Sequence, residues 1–136
     1  MYQFIFYEKN GCLGNIRQKE ILKSYGLNII VKNLLKIKWS YEELYSYFED
    51  LEPSQMFNIF APQVKSGSID INSITKDDAI KLMIENPILI KRPLIDINGT
   101  KICGFDLKKI NKELDINILL DKKIDTCFSS DKCKSA

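Results

Sequence analysis

The chain has 136 residues, enough for one domain carrying an insertion, and folding at this size hides roughly two-thirds of the unfolded surface, so a core needs no disulfide or metal. The formal net charge is +2 with Lys and Arg spread along the sequence, which argues against direct nucleic-acid binding. Histidine is absent, which excludes Cys–His and Ser–His catalytic pairs and histidine metal ligands; no metal site is expected.

Residues 3–7 read as a short buried strand rich in aromatic and branched side chains. Gly11 allows a sharp turn, and a helix is predicted from Leu13 to Tyr25, with Ile21, Leu22 and Tyr25 on its inner face and Gly26 as C-terminal cap. Asn28 to Val31 form a second strand, so strand, helix and strand make a right-handed parallel crossover. Ser40-Tyr41-Glu42-Glu43 is a capping box that starts a helix running to about Glu49. Pro53 begins another short helix ending near Phe60, and residues 61–74 are mostly loop. Thr75 caps a third helix, with Ala79, Ile80, Met83 and Ile84 inward, and Asn86-Pro87 ends it. Trp39, Tyr41, Tyr45, Tyr47 and Phe48 form an aromatic group expected to pack the insertion on the sheet, the alternative being an exposed aromatic patch for a protein partner.

Leu94 to Ile97 and Thr100 to Cys103 flank Asn98-Gly99, a strong type I′ hairpin signal. Asp106 caps a last helix with Leu107, Ile110 and Leu114 inward. The inward pattern ends at Leu114, so truncation after Asp115 is expected to leave the fold intact; the alternative is that Ile116, Ile118, Leu119 and Leu120 dock on the sheet or against the last helix, which makes a cut after Leu120 the safer version. The fold class expected is α/β, a thioredoxin-like mixed sheet with an inserted helical subdomain. Residues 1–118 make the domain, the insertion covers about 39–90, and 119–136 are an appended tail. Residues 1–7 are too short for a signal segment and no apolar run approaches the ~20 residues of a membrane span, so the expectation is a cytoplasmic protein with no membrane partner.

Cys12 carries the chemistry. It stands between an apolar strand and a helix, where unpaired backbone N–H groups and the helix dipole favour a thiolate, the reactive form. Position 15 is Asn, so no Cys-x-x-Cys pair exists, and any chemistry is monothiol, through a mixed disulfide with glutathione or another partner. Cys103 is expected to be a buried structural thiol. Cys127 and Cys133 lie in the tail, either resolving a Cys12 adduct, pairing with each other, or neutral. The four cysteines do not read as a secreted disulfide framework.

Three stretches carry a family resemblance: Phe6-Tyr7-Glu8-Lys9-Asn10-Gly11-Cys12, Asn86-Pro87-Ile88-Leu89-Ile90-Lys91-Arg92-Pro93-Leu94-Ile95, and Gly104-Phe105-Asp106. Over about residues 2–116 the chain resembles the arsenate reductase (ArsC) and Spx family. Asn15-Ile16-Arg17-Gln18-Lys19 and Ala61-Pro62-Gln63-Val64-Lys65-Ser66-Gly67-Ser68-Ile69-Asp70 are similar to a nitrogenase-associated subgroup. The resemblance implies Cys12 as nucleophile, Arg92 as anion holder, with Arg17 as a weaker second candidate, and Pro93 as a cis-proline facing the cysteine. It departs from the reductases where they carry further arginines: position 16 is Ile, position 104 is Gly, and residues 56–64 contain none. A tetrahedral dianion needs several charge-assisted donors, so these departures argue against arsenate reduction itself. The resemblance implies a glutathione-linked monothiol oxidoreductase-like protein, with no tightly bound cofactor, glutathione as co-substrate and glutaredoxin as partner. The alternative it implies is a non-catalytic binding module for nitrogenase or its maturation machinery or, Spx-like, for RNA polymerase.

Overall fold

The computed structural model describes residues 3–119. In chain order the elements are β1 (Phe4–Glu8), α1 (Leu13–Ser24), β2 (Ile30–Asn33), α2 (Tyr41–Phe48), α3 (Pro62–Lys65), α4 (Lys76–Glu85), β3 (Leu94–Ile97), β4 (Thr100–Cys103) and α5 (Leu107–Leu114). Among the described residues they divide into two compact units, one of residues 3–34 and 92–119, the other of Leu35–Lys91.

The first unit holds a mixed four-stranded sheet in the order β2-β1-β3-β4, with β1 parallel to β2 and antiparallel to β3, and β3 antiparallel to β4. Register explains the core. Phe4 lies opposite Ile97, Phe6 opposite Ile95, and Ile95 opposite Ile102, so alternate side chains stack on one face. There they pack with Leu22, Phe105, Ile110 and Ile118. The hairpin turn is as the dipeptide requires: Asn98 and Gly99 have φ of 52° and 93°. The Asn98 side chain also accepts a hydrogen bond from the Gln3 N–H at 2.7 Å, tying the turn to the start of β1. Asp106 caps α5 by accepting from the Lys109 N–H.

Four expectations need correction in this unit. β2 begins at Ile30 rather than Asn28, because its register with β1 begins at the Ile5–Ile30 pair, after the Gly26 and Leu27 N–H groups have closed α1 on the Lys23 and Leu22 carbonyls respectively. That is a Schellman ending, and the strand starts only after it. The inner face of α1 is also rotated: Gly14, Asn15, Gln18 and Leu22 are buried, while Tyr25 is 46% exposed. Cys103 is half-buried rather than buried. Finally, the core does not stop at Leu114. Ile118 is 3% exposed within the core and Ile116 packs against it. The Asn111 side chain holds both backbone groups of Ile118, accepting from its N–H at 2.8 Å and donating to its carbonyl at 3.2 Å.

The second unit is helical. Its core includes Leu44, Phe48, Met56, Ile80, Met83 and Leu89, all almost fully buried. Ser40 caps α2 through the Glu43 N–H, but Glu43 returns to the Ser40 hydroxyl at 3.2 Å rather than to its backbone. At the other end of α2, Lys76 donates to the Phe48 and Glu49 carbonyls at 3.0 and 3.1 Å, placing a cation at a helix C-terminus. The same ammonium lies 5.7 Å from the Tyr45 ring centre. Trp39, Tyr47 and Phe48 are buried, and Trp39 meets Tyr47 edge-on at 6.0 Å. The helix expected from Pro53 to about Phe60 is only a turn at Pro53–Gln55, held by a reciprocal Glu52–Gln55 capping box. Beyond it the chain straightens: Lys91 N–H donates to the Met56 carbonyl and Asn58 N–H to the Leu89 carbonyl, so pairing with 89–91 replaces helix. One turn of helix, α3, then occupies part of the expected loop.

Asp77 in the first turn of α4 is held below its ordinary carboxylate value of 3.8, first by the hydrogen bond from Lys81 (2.9 Å) and then by that from Tyr41. A depressed carboxylate contributes stability above its unfolded pKa and loses it as pH falls through the folded value. Asp77→Asn should therefore narrow the difference in urea stability between pH 7 and pH 3. The group is exposed, so the effect should be small and salt-screened. An unchanged difference would show that the pair contributes nothing.

Candidate functional site

Register brings three segments to one end of the sheet. Tyr7 of β1 lies opposite Leu94 of β3, and Leu94 opposite Cys103 of β4. The loop 9–12 leaving β1, Arg92-Pro93 entering β3, and Gly104 leaving β4 therefore share that edge. The Arg92–Pro93 peptide bond is cis. The Gly104 N–H donates to the Pro93 carbonyl at 2.8 Å, and Gly104 has a φ of 85°, a conformation in which a side chain is strained.

Cys12 is the N-cap residue of α1, with extended backbone (φ −73°, ψ 117°) and no side-chain capping bond. The loop before it closes as a turn: the Cys12 N–H donates to the Lys9 carbonyl at 3.1 Å, with Gly11 at φ 83° in the position that requires it. α1 then runs for 12 residues with no acidic residue in its first turn, so nothing there offsets its positive end. Cys12 itself is buried, 0% exposed.

Two buried cations belong to the same sheet end. Lys9 is buried, and Arg92 is 7% exposed with its Nε unpartnered among the described residues. A guanidinium held out of water is a ready donor for an anion. Arg17 is exposed. It lies two residues beyond the buried Asn15, more than half a helical turn away, so it is not brought to the buried side. Leu13 and Ile16, three residues apart on the first turn of α1, are each 41% exposed. Among the described residues no three His, Cys, Asp or Glu side chains converge as metal ligands. Cys127 and Cys133 lie outside the described residues.

Sequence reading missed the polar groups that hold this loop. Asn15 and Gln18 are 0% and 1% exposed. Asn15 Oδ1 accepts from the Lys9 N–H at 3.1 Å, and Asn15 Nδ2 donates to Gln18 Oε1 at 3.0 Å. Glu8 at the end of β1 forms an ion pair with Lys19 of α1. A signal existed: positions 15, 18, 19 and 22 recur at helical spacing, but three of them are polar and did not register as an inner face.

Among known proteins, the ArsC family model matches residues 17–113, a span that includes Arg92-Pro93 and begins after Cys12. A Rhodospirillum rubrum protein described as an uncharacterized 15.7 kDa protein in the draG 3′ region is 34% identical over 129 residues, 95% of this chain and 90% of that one. The regulatory protein MgsR of Bacillus subtilis is 26% identical over 117 residues, 82% of this chain and 92% of its own. Of solved structures, an arsenate reductase from Vibrio cholerae superposes with a TM-score of 0.65 at 23% identity, over 85% of this chain and 98% of that one. An ArsC family related protein from Bacteroides fragilis superposes with a TM-score of 0.71 at 21% identity, over 82% and 98%. The mixed sheet is thus the thioredoxin-like sheet of these neighbours, and no helix of the described residues is long and apolar enough to cross a membrane. With its motifs, sheet order and family match in agreement, the chain belongs to the ArsC family.

Proposed function

We propose that the chain is a monothiol redox protein in which Cys12 forms a mixed disulfide with glutathione, rather than an arsenate reductase. The observation that carries this reading is Cys12 at the N-terminus of a 12-residue helix, with Asn15 where a second thiol would be needed for an internal disulfide. The Cys12 thiolate attacks one sulfur of oxidised glutathione, forming the Cys12–glutathione bond and releasing one glutathione thiolate. A second glutathione thiolate then attacks the glutathione sulfur of the adduct, returning Cys12 and regenerating oxidised glutathione. Arg92 suits the anionic carboxylates of such a ligand, and Pro93 borders the same sheet end. Glutaredoxin is the protein that would exchange with the adduct.

Access and electrostatics oppose each other at the two described thiols, since Cys12 is buried and Cys103 half-buried. The test is therefore the pH dependence of alkylation at each, normalised to unfolded protein. Cys12 should titrate below the ordinary thiol value of about 8.5. Treatment with oxidised glutathione followed by peptide mapping should place one adduct on Cys12, absent in Cys12→Ser. An adduct confined to other cysteines, or an ordinary Cys12 pKa, would overturn the reading. Arsenate turnover with glutathione and glutaredoxin supplied should be nearly absent, because each missing preorganised donor is worth about 2.7–4 kcal/mol in a transition state.

Leu13 and Ile16, exposed on the turn beside Cys12, favour a second reading: a binding module that meets a protein partner there. One relative is described by its place in the draG 3′ region and another is named a regulatory protein. The nitrogenase-associated resemblance makes nitrogenase or its maturation machinery the candidate partner, and the Spx resemblance RNA polymerase. Partner capture retained in Cys12→Ser and lost in Ile16→Asp would favour this second reading.

A further inference from the structure

We propose that Asn15 is a positioning residue that sets the acidity of Cys12 by locking the turn in front of it. The inference rests on the proposal that Cys12 acts as a thiolate. Both backbone groups of Lys9 are bonded to the same helix start. Its carbonyl accepts from the Cys12 N–H, and its N–H donates to Asn15 Oδ1, each at 3.1 Å. The turn is thus clamped between the N-cap residue and the third residue of α1. The clamp is itself held, because Gln18 fixes the orientation of the Asn15 amide from one turn further along, and both side chains are buried. Buried amides keep one orientation when each end has a partner, so Asn15 can present only its oxygen to the loop.

The consequence for Cys12 follows from distance. The stabilisation of a charge at a helix end falls off within one turn. Two backbone bonds hold Cys12 at that end, its carbonyl accepting from the Ile16 N–H at 3.0 Å and its N–H donating to the Lys9 carbonyl at 3.1 Å, and the second belongs to the turn that Asn15 clamps. Loosening the turn lets the thiol leave the N–H groups of the first turn, and the thiolate loses its advantage. Asn15 also supplies no charge of its own, whereas Asp at this position would keep the acceptor for Lys9 and oppose a thiolate electrostatically.

The test compares the Cys12 pKa, from the pH profile of alkylation, in wild type, Asn15→Ala and Gln18→Leu. Asn15→Ala should raise it by about one unit, a tenfold loss of thiolate below the pKa. Glutathione exchange at pH 7 should slow by a similar factor, while the Cys103 profile stays unchanged. Gln18→Leu keeps Asn15 but removes its anchor, and should shift the pKa in the same direction by less. It carries the test if Asn15→Ala does not fold; no shift there would then overturn the inference. A lowered melting temperature with the Cys12 pKa unmoved would show Asn15 to be merely structural. An ordinary pKa in wild type would instead overturn the thiolate reading on which this one rests.

Discussion

A chain ending at Asp115 should be less stable than one ending at Leu120 by on the order of 4 kcal/mol. The cut removes Ile118, 3% exposed in the core of the sheet unit, and Ile116 packed beside it. Deleting one buried aliphatic side chain typically costs about 2–5 kcal/mol, part of it for the cavity left behind. The cut also strips Asn111 of both its bonds to Ile118, each worth about 0.5–1.5 kcal/mol net. The exposed end of the loss is the Leu119 N–H, which donates to the Tyr25 hydroxyl at 3.1 Å. Urea denaturation of the two truncated chains measures the difference directly. Ile118→Ala in the full chain should reproduce most of it, and Asn111→Ala about 1–2 kcal/mol. Equal stability of the two truncations would mean that Ile116 and Ile118 add nothing to the core.

Arg92→Met should act in opposite directions on stability and on anion binding. Arg92 is nine-tenths buried and its Nε has no partner among the described residues, so the fold leaves a buried donor of a charged side chain unsatisfied. An apolar side chain of similar volume removes that penalty, and the variant should be equal to wild type or more stable by about 1–2 kcal/mol. The same change removes a charge-assisted donor, worth about 1.5–3 kcal/mol to a bound anion, or roughly 10–100-fold in Kd. Sulfate is a convenient probe of tetrahedral dianions. Thermal melts in sulfate and chloride at equal ionic strength should show a protection of the wild type that Arg92→Met lacks. The general salting effect of sulfate is common to both proteins and cancels in the comparison. A variant destabilised by several kcal/mol would instead make Arg92 a structural residue, and undiminished sulfate protection would move the anion elsewhere.

Local chemistry was legible in the sequence wherever a residue acts on its own neighbours. Asn98-Gly99 dictates a hairpin because few dipeptides tolerate two positive φ angles. Ser40, Thr75 and Asp106 start helices because each side chain reaches a backbone N–H three residues on. The position of Cys12 at a strand-to-helix junction, and the signature around Arg92-Pro93, were likewise readable in the linear order. The tertiary structure alone decided the features that depend on partners distant in sequence or on polar burial. β2 runs from Ile30 to Asn33 because its register with β1 begins at the Ile5–Ile30 pair, after the α1 ending that uses the Gly26 and Leu27 N–H groups. Ile118 entered the core because Asn111 turns the chain back after α5, although the residues between them show no amphipathic period. Asn15 and Gln18 became the inner face of α1 because each satisfies the other and the loop it supports. A hydrophobic pattern marks burial by transfer free energy, and it is blind to polar groups whose burial is compensated by hydrogen bonds.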